Sequence, residues 1–400
     1  MHIVLINQHH HNYDCAATGR HYTFLKHLAK RHKITLITSD AWRKQQLSQH
    51  YPWVPEGVEL VEVKVPYANK MNVRQRLFSY TGFAWHALVE GLRVPKPDVI
   101  WGVSTPLTTP WVAAKVAGLR RVPWVFEVQD LWPSFPIEMG AVPQKWLQHL
   151  LYKEEKKLYR QAEHIITLSA DMTEYVVNTG TPASKVTTLV NGTDFDLIEQ
   201  TEGADLQQLR QKYKIGDRKV VLYAGTYGRA NDIPSILEAA KQLQAQQEVC
   251  FVFTGGGFFA DEIRQAAKEQ QNIVMLEEPL PRHQVFNLYR LAALSLVTFI
   301  DLPVLATNSP AKFYDSLAVG TPVLVTNPGW TKKFVEEHNC GWYVPATQPQ
   351  LLADKIKVLL AEPEQLKAAG SRGAAAAKKY FDREDLSRQL EQILEQAATP

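Results

Sequence analysis

The sequence predicts an α/β protein built from two doubly wound domains. Short apolar segments rich in β-branched residues recur along the chain, helical patterns lie between them, and the series restarts near residue 220. Most of these segments are continuously apolar, which is typical of parallel strands buried on both faces of a sheet. Strands of this kind that alternate with helices indicate a doubly wound architecture.

The predicted strands fall into two series. They are residues 3–6, 34–38, 58–65, 99–103, 122–128, 165–168 and 186–190 in the first half, and residues 220–224, 249–254, 273–276, 294–300 and 322–325 in the second. Each series opens with a strand, a glycine-bearing turn and a helix. Gly19 precedes the first of these helices, near 22–31, and Gly228 precedes the other, near 233–247.

A polar stretch without a strong strand pattern, residues 196–219, separates the two series. We therefore expect two Rossmann-like domains, 1–198 and 199–378, that face a central cleft, and a C-terminal helix within 379–400 that packs back on the first domain. Ligands of open α/β sheets bind at the carboxyl ends of the strands. Residues directly after the strands are therefore the first candidates for chemistry.

Composition excludes several classes of protein. The 400 residues are 45% hydrophobic and 21% charged, with a net charge of 44 − 41 = +3, which argues against disorder and against nucleic-acid binding by bulk charge. Cys15, Cys250 and Cys340 have neither disulfide-framework nor zinc spacing. The apolar run 292–300 is far below the roughly 18 residues of a membrane span. We expect a cytoplasmic protein, with peripheral attachment to the inner face of the cytoplasmic membrane as an option.

Two glycine-bearing loops follow strands of the second domain. Gly225 and Gly256 would let the backbone approach a ligand, and Arg229, just before a helix, could grip a diphosphate. The alternative for Arg229 is a surface arginine on a tight turn. The nicotinamide fingerprint G-x-G-x-x-G does not follow the first strand of either domain.

The stretch 307–323 carries the strongest pattern. A polar turn precedes a helix that contains Lys312 and Asp315, and Gly-Thr-Pro and a strand follow it. The two charged residues are three apart and share one helix face. An ordinary surface ion pair is the alternative interpretation.

At this point the chain resembles glycosyltransferase family 4, a family of retaining enzymes with the GT-B fold. Residues 310–323, P-A-K-F-Y-D-S-L-A-V-G-T-P-V, are similar to the family's P-S-K-x-x-E-x-M-A-x-G-x-P-V element. Further matches are G-T-Y-G-R at 225–229, G-G-G at 255–257, and N-G-T-D at 191–194, which resembles the family's N-G-V-D. The D-L-W-P element at 130–133 resembles that of bacterial members that build O-antigen or capsule. The resemblance spans roughly residues 1–380.

The resemblance implies a sugar transfer from a nucleotide-sugar to a glycan or polyprenyl-diphosphate-linked acceptor. UDP is the expected nucleotide on family frequency. The implied catalytic residues are Asp130, Arg229 and Lys312; the two cations would neutralise the leaving diphosphate, and Asp130 would act as a base or orient the acceptor. The implied donor-binding residues are Gly19, Gly225, Arg229, Gly256, Asn308, Ser309, Lys312 and Asp315, with 276–280 at the base. The implied acceptor contacts are His10, Glu127 and Trp132.

The sequence also departs from the family pattern. Thr307 stands where many members carry the first of two glutamates, and the usual lysine after the Gly225 loop is missing. No metal or cofactor is expected, because the two cations can balance the diphosphate and because neighbouring side chains such as His9-His10-His11 rarely converge on one ion. The alternatives are a sugar-nucleotide epimerase of the same fold and a non-catalytic member that binds nucleotide-sugar.

The segment 64–93 lies outside these motifs. It contains no acidic residue before Glu90, and it combines basic with aromatic side chains: Lys64, Lys70, Arg74, Arg76, Phe78, Tyr80, Phe83 and Trp85. This composition suits an anionic membrane interface. Alternatively, the helical stripe of Val73, Leu77, Tyr80, Ala84 and Leu88 packs on the first sheet, with a solvated basic end.

Overall fold

The structure is a computed structural model that describes residues 1–17, 19–68 and 71–399. The chain divides into two compact units. Unit 1 consists of Met1–Asn191, Thr307–Ser309 and Arg383–Pro400, and unit 2 consists of Gly192–Ala306 and Pro310–Asp382. The boundaries therefore fall at 191/192 and 382/383, where the sequence suggested 198/199 and 378/379. The three residues 307–309 belong to unit 1, although the chain on either side of them lies in unit 2.

Unit 1 is built on one parallel sheet with the strand order β3-β2-β1-β4-β5-β6-β7. Its strands are β1 (His2–Ile6), β2 (Lys33–Ser39), β3 (Val58–Val63), β4 (Val99–Val103), β5 (Trp124–Val128), β6 (His164–Thr167) and β7 (Val186–Thr188). Its helices are α1 (Arg20–Leu28), α2 (Val73–Arg93), α3 (Thr108–Arg120), α4 (Ser134–Glu138), α5 (Lys145–Gln161) and α6 (Ala170–Asn178), together with α17 (Arg383–Ala398) from the C-terminal end.

Helices cover both faces of this sheet. On β4, Trp101 packs with Phe24 of α1 and Leu390 of α17 in one hydrophobic core. A Cβ added to Gly102, the next residue, would lie 2.4 Å from the Cβ of Ala113 in α3, so Gly102 faces the opposite side. Because successive side chains of a strand point to opposite faces, α1 and α17 cover one face and α3 covers the other. Helix α3 packs between α2 and α5.

Unit 2 has a parallel sheet with the strand order β10-β9-β8-β11-β12-β13. The strands are β8 (Lys219–Thr226), β9 (Val249–Gly256), β10 (Ile273–Leu276), β11 (Ala292–Val297), β12 (Val323–Val325) and β13 (Gly341–Tyr343). The helices are α7 (Phe195–Glu199), α8 (Leu206–Lys212), α9 (Ile233–Gln242), α10 (Ala260–Glu269), α11 (Arg282–Leu291), α12 (Pro303–Ala306), α13 (Ala311–Ala318), α14 (Trp330–Glu337), α15 (Pro349–Leu360) and α16 (Pro363–Tyr380).

The structure confirms the predicted fold class of two α/β domains with parallel sheets. Each predicted strand corresponds to an observed one, because a continuous apolar run is a strong signal for a strand buried on both faces. Strand β13 was missed. It is a strand of only three residues at the end of its sheet, its side chains are half-buried, and it begins with a glycine, so its apolar signal is short.

Helix α2 packs inward, as the second interpretation of the segment 64–93 predicts, but its inward face differs from the predicted stripe, and the membrane interface stays a prediction. Tyr80 and Phe83 are buried, whereas Val73 and Leu77 are 62% and 58% exposed. Side chains in the first turns of α2 are mostly exposed, and burial begins at Ser79 and Tyr80. Lys70, one of the basic residues in the predicted segment, lies outside the described residues. Over the described ranges, no helix is both long and apolar enough to cross a membrane.

Candidate functional site

The carboxyl end of the unit 2 sheet carries the glycine-bearing turns that the sequence singled out. Strand β8 ends with Gly225 and Thr226, and its neighbour β9 ends with Gly255 and Gly256. Residues 277–279 follow β10 at the same edge and are exposed. Because all these strands run parallel, their ends meet at the edge where α/β sheets bind ligands.

Lys312 is a buried cation without a partner. It lies in the first turn of α13, it is 9% exposed, and its Nζ donates no hydrogen bond to any of the described residues. The Nζ atom lies 3.9 Å from the ring centroid of Tyr223 on β8. Burial lowers the pKa of Lys312 from its usual range to about 7. A buried ammonium that lacks a counter-charge is poised to bind an anion, because an anion would offset its desolvation cost.

Gly225 leaves room beside this lysine. A Cβ at Gly225 would lie 3.4 Å from Cε and 3.5 Å from Nζ of Lys312, and the residue has a φ of 133°, which L side chains rarely adopt. Gly255 has a different role, since its Cβ would lie 1.9 Å from the carbonyl oxygen of Gly225. Gly255 is therefore required for the close approach of two strands, while the Cα of Gly256 faces open space.

Asp315 belongs to a buried ionic cluster rather than to a surface ion pair. Its Oδ1 accepts hydrogen bonds from Nη2 of Arg282 at 2.7 Å and from Oγ1 of Thr193 at 2.6 Å. Arg282 also donates to Asp194 through Nη1. Burial opposes the charge on Arg282, but the carboxylates of Asp315 and Asp194 more than offset this and raise its pKa.

Sequence reasoning missed Arg282. It is the first residue of α11, 33 positions from Asp315, and nothing in its local pattern distinguishes it from a surface arginine. The N-G-T-D element, in contrast, has a structural explanation here, because its last two residues, Thr193 and Asp194, both bond to Arg282. The cluster fixes Oδ1 of Asp315, and the part of the chain that the structure describes offers no hydrogen bond to Oδ2.

Arg229 is exposed and does not share the buried environment of Lys312. It follows β8 in a short 3-10 turn, and its guanidinium lies 4.1 Å from the ring centroid of the exposed Phe258. A guanidinium that stacks on an exposed ring keeps its charge and its outer N–H groups accessible. Its predicted role in gripping a diphosphate stays a prediction.

Glu127, predicted as an acceptor contact, has a structural role in unit 1. Its side chain is fully buried on β5 and accepts hydrogen bonds from Nε of Arg20 at 3.1 Å and from the indole of Trp101 at 3.2 Å. Burial alone would raise the pKa of Glu127, but Arg20 and His21 lower it to about 2. Arg20 in turn donates to the carbonyl oxygen of Leu189 at 2.9 Å. Glu127 therefore holds two parts of the fold together and is withdrawn as an acceptor contact.

Asp130 follows the end of β5 and is half-buried. Burial raises the pKa of Asp130, although a hydrogen bond from Oγ1 of Thr105 to Oδ2, at 3.1 Å, acts in the opposite direction. A carboxylate whose pKa is shifted toward neutrality is better suited to exchange a proton than an exposed one. Trp132, two residues further on, packs edge-on against Tyr80 with ring centroids 6.1 Å apart.

His10 is also withdrawn as an acceptor contact. It is fully buried, its Nε2 bonds to the carbonyl oxygen of Trp53 at 3.0 Å, and burial lowers its pKa to about 3. The neighbouring His9 and His11 turn instead toward Trp42, with ring centroids 6.2 Å and 4.5 Å away. His10 therefore contacts a different residue from its two neighbours, and the three imidazoles do not converge on one point.

A different group of side chains has metal-ligand spacing among the described residues. The ligand atoms of His32, Glu391 and Glu395 lie within 4.8 Å of one another. Glu391 already bonds to His32 at 2.9 Å and to His27 at 3.2 Å, and Arg31 lies 3.4 Å from it. These contacts join α1 to α17, and the guanidinium disfavours a further cation, so we assign this group a structural role.

The remaining predicted donor-binding residues lie in unit 1. Gly19 has a φ of 62° before α1, and a Cβ there would lie 2.7 Å from the ring of Tyr13. The segment of Asn308 and Ser309 is held by its carbonyl oxygens: Oγ of Ser169 donates to Thr307 at 2.7 Å, and the amide of Asn191 donates to Ser309 at 3.2 Å. Their predicted contacts with a diphosphate stay predictions.

Two family models match the chain in succession. Residues 22–192 match the glycosyl transferase 4-like domain, and residues 205–376 match the glycosyl transferases group 1. Together they cover most of the chain, and each falls almost wholly within one half of the fold. The chain therefore belongs to the glycosyltransferases with the GT-B fold.

Individual relatives agree with this assignment. The chain is 24% identical over 324 residues to the glycosyl transferase WcaI of Escherichia coli strain K12, which is named for colanic acid biosynthesis. This alignment covers 76% of this chain and 77% of WcaI. It is 23% identical over 319 residues to the glycosyltransferase WbjE of Pseudomonas aeruginosa, with 76% and 77% covered. The structure of Anabaena HepE in complex with UDP superimposes with a TM-score of 0.71 at 17% identity, over 99% of this chain and 100% of HepE.

Proposed function

We propose that this glycosyltransferase moves a sugar from a UDP-sugar, with retention of anomeric configuration, to a glycan or polyprenyl-diphosphate-linked acceptor. We further propose that it acts in the assembly of a bacterial surface polysaccharide at the inner face of the cytoplasmic membrane. The buried ammonium of Lys312 carries the proposal: it has no hydrogen-bond partner within the described ranges, and a leaving nucleoside diphosphate is an anion that could pair with it. The names of WcaI and of the UDP complex of HepE support the substrate classes.

We assign the donor to unit 2. Lys312 would hold the diphosphate beside Gly225, and Arg229 would add a second positive charge from the same edge of the sheet, without a metal ion or cofactor. Asp315 would accept from the ribose hydroxyls through Oδ2, because Arg282 and Thr193 hold its Oδ1 in place. A fixed, preorganised charge of this kind stabilises the leaving group without reorganisation during the reaction.

We assign the acceptor to unit 1. Asp130 would accept the proton of the acceptor hydroxyl, for which its raised pKa is suited. Trp132 would offer an apolar ring edge next to it. Retention would follow from attack of the acceptor on the face that the diphosphate leaves, where a diphosphate oxygen could also assist in taking the proton.

The proposed function is tested by measuring release of nucleoside diphosphate. The purified protein is offered UDP-, dTDP- and GDP-sugars, each with and without a detergent-dispersed bacterial lipid extract. We expect release from a UDP-sugar that depends on the lipid fraction, and a product with the donor's anomeric configuration. An epimerised free sugar-nucleotide, or saturable binding without any transfer, would contradict the proposal.

Binding of a UDP-sugar should take up a proton at mildly alkaline pH. The pKa of Lys312 is about 7 in the free protein, so at pH 8 the side chain is mostly neutral and must gain a proton to pair with a diphosphate. The affinity for the UDP-sugar should therefore fall as the pH rises above 7, because part of the binding free energy is then used to protonate Lys312. The sugar diphosphate itself does not titrate in this range.

Isothermal titration calorimetry in buffers of different ionisation enthalpy measures this uptake. We expect nearly one proton per donor bound at pH 8 and much less at pH 6. The Lys312→Arg variant is the control, since an arginine stays charged at both values and should take up none. A wild-type protein that binds donor at pH 8 without proton uptake would contradict the assignment of Lys312.

Substitution of Asp130 should separate transfer from donor binding. In Asp130→Asn the side chain keeps its size and its hydrogen bond with Thr105 but cannot accept a proton, so transfer should fall by about 10²–10⁴-fold with unchanged donor affinity. Initial rates and donor titration measure the two quantities. A loss of donor affinity without a loss of maximal rate would remove Asp130 from the acceptor side.

We also propose that residues 64–93 contact the membrane through the outer face of α2. Phe78 and Trp85 are 73% and 66% exposed, and the basic residues Arg74 and Arg93 flank them at the two ends of the helix. Glu90, the one acidic residue of α2, is paired with Arg93 at 2.7 Å. An apolar and basic helix face of this kind suits an anionic interface.

Phe78→Ser/Trp85→Ser should weaken binding to vesicles of phosphatidylglycerol and phosphatidylcholine by about tenfold or more, because two large apolar side chains leave the interface. Flotation of the vesicles measures the bound fraction. Phe83 is not a suitable target, since it is fully buried and its loss would damage the core. Unchanged flotation of a folded variant would contradict the membrane contact of α2.

A further inference from the structure

Helix α5 presents an outer face that the proposed donor and acceptor sites do not use. Seven exposed residues, linked by steps of three or four positions, lie on one side of the helix: Lys145, Trp146, His149, Leu150, Lys153, Lys156 and Arg160. Trp146 and Leu150 are 70% and 54% exposed. Because they lie four positions apart, these two side chains form one apolar patch on the helix rather than scattered single residues.

The charge on this face is of one sign. Helix α5 has two acidic residues, and neither contributes free negative charge to the outer face. Glu155 is fully buried and accepts hydrogen bonds from the hydroxyl groups of Tyr159, at 2.9 Å, and Tyr175, at 3.2 Å. Glu154 is paired with Lys157 at 3.3 Å. The outer face therefore combines two apolar anchors with four Lys or Arg side chains.

The same character continues across the neighbouring helix. Helix α3 packs against α5 on one side and α2 on the other, and the residues Thr108–Arg120 include no acidic side chain. Lys115 and Leu119 are exposed on it, with Leu119 at 67%. The helices α2, α3 and α5 therefore form one apolar and basic layer, while α17, on the opposite face of the sheet, exposes Glu384 and Asp385.

We propose that the outer face of α5, together with Leu119 of α3, is a docking surface for a bilayer that contains anionic phospholipid. The basic side chains would pair with phosphate headgroups of the anionic surface, while the indole of Trp146 would lie at the interface. This extends the contact proposed for α2 to a three-helix surface. The biological purpose of this surface, access to a membrane-bound acceptor, rests on the proposed function. The observations on α5 and α3 do not depend on it.

Charge complementarity favours a bilayer over a second copy of this chain. A symmetric contact between two copies of this face would bring like charges together, which is unfavourable. A bilayer with anionic headgroups supplies the opposite charge over the whole layer and accepts isolated apolar side chains without a matching groove.

The test compares two pairs of exposed apolar residues on the same protein. Trp146→Ser/Leu150→Ser removes the anchors of α5. The matched control is Leu351→Ser/Val358→Ser on α15 of unit 2, whose side chains are 45% and 57% exposed. A third variant, Lys153→Glu/Lys156→Glu, reverses charge on α5. Thermal unfolding confirms that each variant is folded, and flotation with vesicles of phosphatidylglycerol and phosphatidylcholine measures binding.

We expect the α5 variants to lose about tenfold or more in vesicle binding, and the α15 control to bind as the wild type does. Wild-type binding should fall in vesicles of phosphatidylcholine alone. Three results would overturn the inference: α5 variants that float like the wild type, binding that ignores phosphatidylglycerol, or a loss that accompanies a change from dimer to monomer in sedimentation.

The same variants separate this inference from the proposed function. With a detergent-dispersed acceptor, the α5 variants should release nucleoside diphosphate at the wild-type rate, since α5 contributes no residue to the donor or acceptor site. If the wild type binds vesicles through α5 but transfers no sugar, the proposed function fails and the docking surface stands. Loss of transfer in detergent by the α5 variants alone would contradict the docking role.

Discussion

Lys312→Met should abolish donor binding and transfer while making the free protein more stable. The methionine fills nearly the same space beside Tyr223 and Gly225 but cannot pair with a diphosphate. Loss of one partner of a buried charge pair should weaken UDP binding by about 100-fold or more. Loss of a preorganised cation at the leaving group should lower the transfer rate by about 10²–10³-fold. Calorimetry with UDP and initial rates with a UDP-sugar measure these effects.

The stability gain has a defined pH dependence. The pKa of Lys312 is about 7 in the folded protein, below that of an unfolded lysine, so the folded state resists protonation and the lysine destabilises the fold most at pH 7 and below. Its destabilising effect declines as the pH rises from 7 toward the unfolded pKa. At pH 7 the variant should gain roughly 1–3 kcal/mol in the free energy of unfolding, and the gain should shrink at pH 9.

Lys332→Met is the matched control for this prediction. Lys332 also lies over a tyrosine ring in unit 2, with Nζ 4.4 Å from the centroid of Tyr343, but it is only half-buried. Its loss should leave donor affinity, transfer and stability nearly unchanged. A Lys312→Met variant that binds UDP and transfers sugar normally would remove the assignment of the donor site on which the proposed function rests.

Arg282→Met should destabilise unit 2 and impair use of the donor. The substitution leaves Asp194 and Asp315 buried together without their common counter-charge. Removal of one partner of a buried ion pair typically destabilises a protein by about 3–5 kcal/mol. In the fraction that still folds, Oδ1 of Asp315 loses one of its two donors, so the carboxylate is no longer held for the ribose. Urea unfolding and the Michaelis constant for the donor measure the two effects.

Arg264→Met provides the comparison for a surface ion pair. Arg264 pairs with Asp261 and Glu277 on the exterior of the same unit, where such pairs contribute little to stability. We expect its substitution to leave the urea concentration at which unit 2 unfolds nearly unchanged. An Arg282→Met variant that unfolds at the same urea concentration as Arg264→Met would contradict the role of the cluster.

A donor with 2′-deoxyuridine in place of uridine gives a second readout. If Asp315 binds the ribose, the Michaelis constants of Arg282→Lys for this donor and for the normal donor should differ less than those of the wild type.

The sequence could predict the sheets because their signal is local. Continuous apolar runs such as 3–6 and 220–224 are needed for strands buried on both faces, and they do not depend on distant residues. Strand β13 gives a weaker signal because it has only three residues, lies at the end of its sheet and is half-buried. The inward face of α2 was wrong in its first turns for a related reason: periodicity gives the apolar stripe, but not how far the partner surface extends.

In the candidate site, too, the residue types could be predicted from the sequence, but their contacts could not. Lys312 and Gly225 were both found from motifs, since the chemistry of a leaving anion restricts the residue types. Their contact, and the burial that lowers the pKa of Lys312, required the fold to place α13 against β8. His10 and Glu127 looked available because they follow or end strands, yet burial turned both into internal hydrogen-bond partners.

By itself, then, the sequence determined the alternation of strands and helices, the two α/β domains and the residue types at the carboxyl ends of the strands. Only the tertiary structure decided which charges are paired. Arg282 and Asp315 are far apart in the chain and meet through packing, whereas Lys312 is buried with no hydrogen bond to any residue that the structure describes. The physical reason is that apolar periodicity is encoded in neighbouring residues, while desolvation and charge pairing depend on what the folded chain brings within a few ångströms of each group.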